Sequence, residues 1–322
     1  MDVTFDPGLW RKPKGEVGRP QWVRWAFWCD GCLYSIPAIY HFEQGLVFDV
    51  LQPLSEEELN LFYQKYQRYN EEGGLLPSAL EYQIEQESPV RRLSLQNICV
   101  DGLAYESFSS SASARTPWNQ DELSEWREAY ADCLQQQFFA CQRFCLLYKR
   151  RGSQEDISSL ALTVREREVF YPFLVSFSLG TDLQRKKLIK WRHPLTGEEL
   201  TFTFQHPVQT EITLNHAPLY ITAAGYTCTP EQPQKVRLAF DNSLQEEGWT
   251  EAGSIGIIGS CDGPTANCCI GSLSRKSDEQ LVYAKPSRRK DECPLFQLTG
   301  AFVQTRGAQF FRFGEHDKGS GH

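Results

Sequence analysis

The chain has 322 residues, a formal net charge of −8 and 13 % aromatic residues, with eight Trp and twenty Phe among them. So many large apolar rings exclude an intrinsically disordered chain, and the acidic balance argues against a general nucleic-acid binder. The opening stretch MDVTFDPGLWRKPKG holds no apolar signal segment, and no run approaches the ~18 apolar residues of a membrane span, so the expectation is a soluble, cytoplasmic protein.

Residues 1–20 are rich in Pro, Gly and Lys and read as an extended arm. From Gln21 to Trp28 apolar and polar positions partly alternate, the period of a strand. Cys32 to Phe42 and Leu46 to Leu51 are two further strand-like runs, and Glu43-Gln44-Gly45 between them suits a hairpin turn. Pro37 has no N–H to give a ladder, which predicts an edge or a bulge there.

Ser55 and Glu58 stand at capping-box spacing, and Leu54 and Leu59 are placed as a hydrophobic staple. Leu59, Phe62, Tyr63 and Tyr66 continue one helical stripe, and Gly73-Gly74 would end it. Arg92 to Val100 reads as a strand stopped by Asp101-Gly102, and the Ser/Ala-rich Ser107 to Pro117 as a surface loop. A second, longer helix is predicted from Asn119 to about Lys149. Trp118 and Leu123 would staple its start, and Leu123, Trp126, Tyr130, Cys133, Leu134, Cys141, Cys145 and Tyr148 would form its apolar face.

From Ile157 the period becomes that of strands: 159–165, 168–179, 187–192, 200–205, 219–228 and 234–240. His193 to Glu198 and Thr229 to Pro233 read as turns between them. Phe296 to Gln304 and Ala308 to Phe313 look like a closing hairpin around Arg306-Gly307, and 316–322 reads as a tag remnant. The whole predicts an α+β protein with antiparallel, sandwich-like or strongly twisted sheets and two main helices in its first half. An N-terminal region over 1–150 and a β-rich region over 151–315 are expected, packed separately or as one.

Eleven cysteines in a reducing compartment should be mostly thiols. Cys29 and Cys32 form a Cys-x-x-Cys pair, whereas Cys261, Cys268, Cys269 and Cys293 lack a second such pair and no His stands at ligand spacing, so neither a metal nor a cofactor is expected. No nucleophile elbow or HExxH motif is present, and His41, His193, His206 and His216 are scattered. The basic clusters 149–151, 185–187 and 288–290 read as solvated faces. Trp10, Trp22, Trp25 and Trp28 are candidates for an aromatic surface patch.

The string WCDGCLYSIP resembles the active-site WCxxC…P of the thioredoxin family. That resemblance implies thiol–disulfide chemistry at Cys29 and Cys32, although the residues that follow read as a hairpin and not as the helix that lowers the thiol pKa. The run Gly253 to Ala266, GSIGIIGSCDGPTA, is similar to a motif in the β subunit of sodium-translocating carboxylic-acid decarboxylases. There the Asp matching Asp262 is implicated in carrying sodium; here Ser260-Cys261 replaces the family's Gly-Ala, and no apolar segment exists to set Asp262 in a bilayer. The same run, with Tyr34 to Asp49 and Trp191 to Glu199, also resembles a group of uncharacterised soluble bacterial proteins. In a soluble setting the glycines read as a tight, conformationally special turn or strand pair; on the other reading Gly256, Gly259, Asp262, Gly263, Pro264 and Thr265 are the binding candidates, for a small ligand, a cation or a partner. The leading functional expectation is a non-catalytic protein that binds a protein partner or a small ligand. Thiol–disulfide exchange at Cys29 and Cys32 is the alternative.

Overall fold

The computed structural model describes residues 1–9, 15–71, 76–148, 155–179, 187–214, 217–231, 236–241, 280–284, 287–290 and 294–314. In chain order the elements begin β1 (Arg19–Cys29), β2 (Cys32–Phe42), β3 (Gly45–Leu54), α1 (Glu56–Glu71) and α2 (Ser78–Glu87). There follow β4 (Leu95–Val100), β5 (Leu103–Tyr105), β6 (Phe108–Arg115), α3 (Ser124–Ala129), β7 (Phe138–Leu147), β8 (Ser159–Val164) and β9 (Arg167–Ser178). Then come β10 (Leu188–Arg192), β11 (Glu199–Phe204), β12 (Val208–Leu214), β13 (Ala217–Thr229) and β14 (Val236–Phe240). The last are β15 (Gln280–Tyr283), β16 (Leu295–Arg306) and β17 (Gln309–Gly314). Every ladder between these strands is antiparallel, and the expected β-rich α+β class is what is found. The chain divides into two compact units. One comprises Met1–Gly73, Glu87–Glu166 and Gly307–His322; the other comprises Gly74–Gln86 and Arg167–Arg306.

The first unit is built on a five-stranded sheet in the order β1-β2-β3-β7-β6. Asp30 and Gly31, both at positive φ (52° and 76°), make the two-residue turn that joins β1 to β2. Two such residues match the right-handed twist of the strands they connect. The ladder register shifts between Ser35 and Ile39, so Pro37 sits in a bulge of an internal strand. The turn into β3 closes on Phe42 and Gly45. A Cβ on Gly45 would stand 1.9 Å from the Leu146 carbonyl oxygen, so no other residue fits.

One face of this sheet carries Phe27, Tyr34, Ile36, Ile39, Phe48 and Phe144. It packs on Leu95, Ile98, Leu160, Leu162 and Phe313 of a second sheet, ordered β17-β8-β4-β5. At about 1.5–3 kcal/mol for each fully buried large apolar side chain, this sandwich core is the main source of the unit's stability. The opposite face is covered by Met1, Val3 and Phe5 of the N-terminal arm and by the segment bearing Leu123, Tyr130 and Leu134. Helix α1 starts as its sequence predicts. Ser55 Oγ accepts a hydrogen bond from the Glu58 amide (3.4 Å), and Leu54 and Leu59 are buried in one cluster with Phe138.

Two elements differ from their sequence reading. The long helix from Asn119 is replaced by the short α3, and Cys141 and Cys145 lie on β7 instead. Strand β7 is central, between β3 and β6, and nine of its ten residues are buried or nearly so on both faces. Burial on both faces erases the alternation that marks a strand, so an apolar run of this kind also fits a helix. Leu123 is buried with φ 55°, and Trp118 stacks on Tyr63 (4.8 Å between centroids), so the two do not staple a helix. The supposed loop 107–117 contains β6, an eight-residue edge strand in unbroken register with β7. Its Ser and Ala residues have little intrinsic strand preference; the β7 ladder imposes the conformation.

The second unit joins a three-stranded sheet, β14-β16-β9, to a sheet ordered β10-β11-β13-β12 with β15 also on β13. Phe177, Leu238, Phe296, Leu298 and Val303 from the former meet Leu200, Phe202, Phe204 and Tyr226 from the latter in one core. Helix α2 forms within 75–106, a stretch whose sequence suggests strands, and sets Tyr82 against Phe170 and Phe302. Gln86 Oε1 accepts the Phe170 amide at 2.6 Å. The expected closing hairpin is not formed: β16 pairs with β9 and β14, whereas β17 pairs with β8.

Candidate functional site

Strand β1 is an edge strand, so one of its long sides has no sheet neighbour among the described strands. Its outer face is aromatic. Trp22 is 55 % exposed and Trp28 66 % exposed, and Leu33, the ladder partner of Trp28 on β2, adds an exposed aliphatic side chain. Exposure alternates along β1, so Trp22 and Trp28, six residues apart, share a side, while Trp25 turns inward and stacks on Phe313. At about 3.3 Å per residue the two exposed indoles stand roughly 20 Å apart along the strand. Between them Arg24, at φ 51°, directs its guanidinium to Asp132 (2.9 Å). Trp10, the remaining Trp candidate, lies outside the described residues.

Beneath Trp22 the same face holds a buried polar network that the sequence does not announce. Arg143 Nε donates to Asp49 Oδ1 (2.7 Å) and Nη2 to Oδ2 (2.8 Å), a bidentate pair with both side chains inside the protein. Trp126 Nε1 (3.1 Å) and Tyr130 Oη (2.9 Å) also donate to Oδ2, so the carboxylate is held by four hydrogen bonds. Burial and then the Asp49 charge push the Tyr130 phenol far above its ordinary range, keeping it a donor. Burial alone would lower Arg143, but the Asp49 carboxylate more than reverses this and its pKa is raised. Trp22 lies edge-on to the Tyr130 ring at 6.3 Å, which links the exposed indole to the network. Bidentate guanidinium–carboxylate geometry fixes orientation as well as energy, so the network holds the covering segment against the sheet.

Cys29 and Cys32 do come together. They are direct ladder partners flanking the Asp30-Gly31 turn, both as thiols outside any disulfide, Cys29 buried and Cys32 partly exposed. Cys29 Sγ donates to Gln309 Oε1 at 3.3 Å. Neither sits at a helix N-terminus, the feature through which thioredoxin-like sites activate a thiol, because Cys29 ends strand β1 and Cys32 begins strand β2. Burial, followed by Cys32 and Cys29 themselves, raises the Tyr34 phenol. Cys141 and Cys145 are core residues, burial pushing the Cys145 thiol up to about 11 and Cys141 well above the usual range.

His41 and His193 are both buried. His193 Nδ1 accepts the amides of Leu195 and Thr196 (3.2 Å each) inside the turn the sequence predicts, and His41 Nε2 meets Gln21 Oε1 at 2.9 Å. Both imidazoles serve local structure. The binding candidates Gly256, Gly259, Asp262, Gly263, Pro264 and Thr265 lie outside the described residues, as do Cys261, Cys268, Cys269, Cys293 and His216. Among the described residues no group of three or more His, Cys, Asp or Glu could hold a metal ion, and no helix is long and apolar enough to cross a membrane. No family model, curated protein or solved structure matches the chain.

Proposed function

We propose that the protein works by binding a protein partner through the outer face of the β1–β2 hairpin. The observation that carries this reading is the exposure of Trp22 and Trp28 on one face of an edge strand, with Leu33 beside the second. Trp is among the residues most enriched where interfaces concentrate their binding energy, because a large rigid ring loses little conformational freedom on docking. Two indoles roughly 20 Å apart span the width of a standard interface patch. The arginines of this strand are already matched, Arg24 by Asp132 and Arg19 by Asp156, so the patch offers apolar area more than net charge. The network beneath it supports the rigidity that a preformed surface requires.

The test is a comparison of the full chain with its Trp22→Ala/Trp28→Ala double variant, both recovered from cells that make the protein. A partner that accompanies the wild type in stoichiometric amount and is lost from an equally folded double variant is the expected result. Retention of that partner by the variant, or a wild type recovered alone with both indoles as reactive in the cell as in the purified protein, overturns the reading.

A further inference from the structure

We propose that Cys29 and Cys32 are a reversible two-electron redox pair that closes a disulfide across the tip of the first hairpin, with a small-molecule disulfide such as oxidised glutathione as the oxidant. The argument comes from the ladder. The two residues are direct partners on either side of a two-residue turn, so their side chains leave the sheet on the same face. Directly opposed residues of an antiparallel pair have Cα atoms about 4.5–5.5 Å apart. A disulfide spans about 4.4–6.8 Å between Cα atoms. The bond therefore forms with the strands already in place. Asp30 and Gly31, both at positive φ, fix the turn and with it the separation.

The two thiols differ in access, and this orders the steps. Cys32 is partly exposed, whereas Cys29 is 2 % exposed and donates its proton to Gln309. The Cys32 thiolate attacks one sulfur of the external disulfide, forming a mixed disulfide and releasing one small thiol. Cys29, deprotonated, then attacks Cys32 Sγ, forming the intramolecular bond and releasing the second small thiol. Two electrons and two protons pass from the protein dithiol to the external disulfide, whose sulfur–sulfur bond is broken. Gln309 is half-buried, and its freed oxygen can turn to water. Trp28 and Leu33 stand one residue away on either strand, so oxidation clamps the part of the hairpin that bears the exposed aromatic face. This chemistry does not depend on the docking reading: it is read from the sulfurs alone.

The full chain is equilibrated with glutathione mixtures of increasing oxidation, quenched with acid, alkylated and mapped by mass spectrometry. The expected result is loss of two hydrogen masses and of both alkylations from the peptide containing Cys29 and Cys32, reversed by excess reduced glutathione. In Cys29→Ser a glutathione adduct is expected to accumulate on Cys32, while Cys32→Ser leaves Cys29 unmodified. Full alkylation of both thiols across the series, arrest of the wild type at the adduct, or pairing of either sulfur with another cysteine overturns the proposal. Because the decisive readout is on the wild type, it stands even if a variant folds poorly.

Discussion

Gln142 clamps Leu93 by both ends of its amide: Oε1 accepts the Leu93 N–H at 2.9 Å and Nε2 donates to the Leu93 carbonyl at 3.1 Å. The side chain thus imitates a neighbouring strand. Gln21 does the same for Ile157 (2.9 and 3.0 Å), and Gln52 bonds the Pro89 carbonyl (2.9 Å) and the Arg91 amide (2.8 Å). Three glutamines on the five-stranded sheet thereby satisfy connecting backbone that has no ladder of its own.

Gln142→Leu keeps the volume and removes both bonds. It leaves the N–H and carbonyl of Leu93 unpaired, at a cost of about 1–3 kcal/mol. Urea unfolding measures the loss. Hydrogen exchange at the Leu93 amide should accelerate before the sheet amides do.

Asp49→Ala strands the Arg143 guanidinium inside the protein. Removing one partner of a buried pair costs about 3–5 kcal/mol. The double variant Asp49→Leu/Arg143→Met removes the stranded charge and should recover most of that loss. A double variant no more stable than Asp49→Ala would show that the network is needed for packing and not only for charge balance.

Acid should weaken the second unit through His193. Its Nδ1 accepts two amide protons, so an added proton there would oppose two donors. Burial lowers its pKa below the ordinary 6.5, while Glu198 acts in the opposite direction. The contribution is therefore complete above about pH 6.5 and is lost as the pH falls through the lowered value. His41, lowered by burial and then by Arg19, acts with the same sign in the first unit. The urea midpoint measured at pH 7.5 and pH 5 should fall, and His193→Asn should shrink that fall.

Trp28→Ser should leave folding stability within about 0.5 kcal/mol of wild type, as substitutions at exposed positions usually do. A much larger loss would mean that Trp28 packs for stability and not for docking. The same thermal or urea measurement decides.

The meander β1-β2-β3 and helix α1 are legible because their signals are local: alternation, a Gly-containing turn, a capping box. Most later strands are legible for the same reason. Strand β7 is not, and Cys141 and Cys145 show why. Residues four apart share a face of a helix, but four is also an even number, so they share a face of a strand. Strand β6 escapes because Ser109 to Ala114 acquire their conformation from β7, a neighbour the local sequence does not name. Arg306-Gly307 reads as a turn, yet whether two strands flanking a turn pair with each other depends on what else is available to each. At the candidate site the indoles of β1 were visible as a cluster of Trp. Asp49 and Arg143, 94 residues apart, were not, since no spacing rule connects them.

Strand β17 has a consequence for synthesis. It hydrogen-bonds to β8 from Gln309↔Val164 to Gly314↔Ser159, and its Phe313 lies in the sandwich core beside Phe27 and Trp25. The 145 positions from Val164 to Gln309 take a ribosome roughly 7–30 s to add at the usual rates of elongation. During that interval β8 has an open edge and Phe27, stacked on Tyr34, still lacks its Phe311 and Phe313 contacts, so the nascent first unit exposes sticky surface. A chaperone that shields β8, or slow completion of the second unit, would govern how much of the chain reaches the native state.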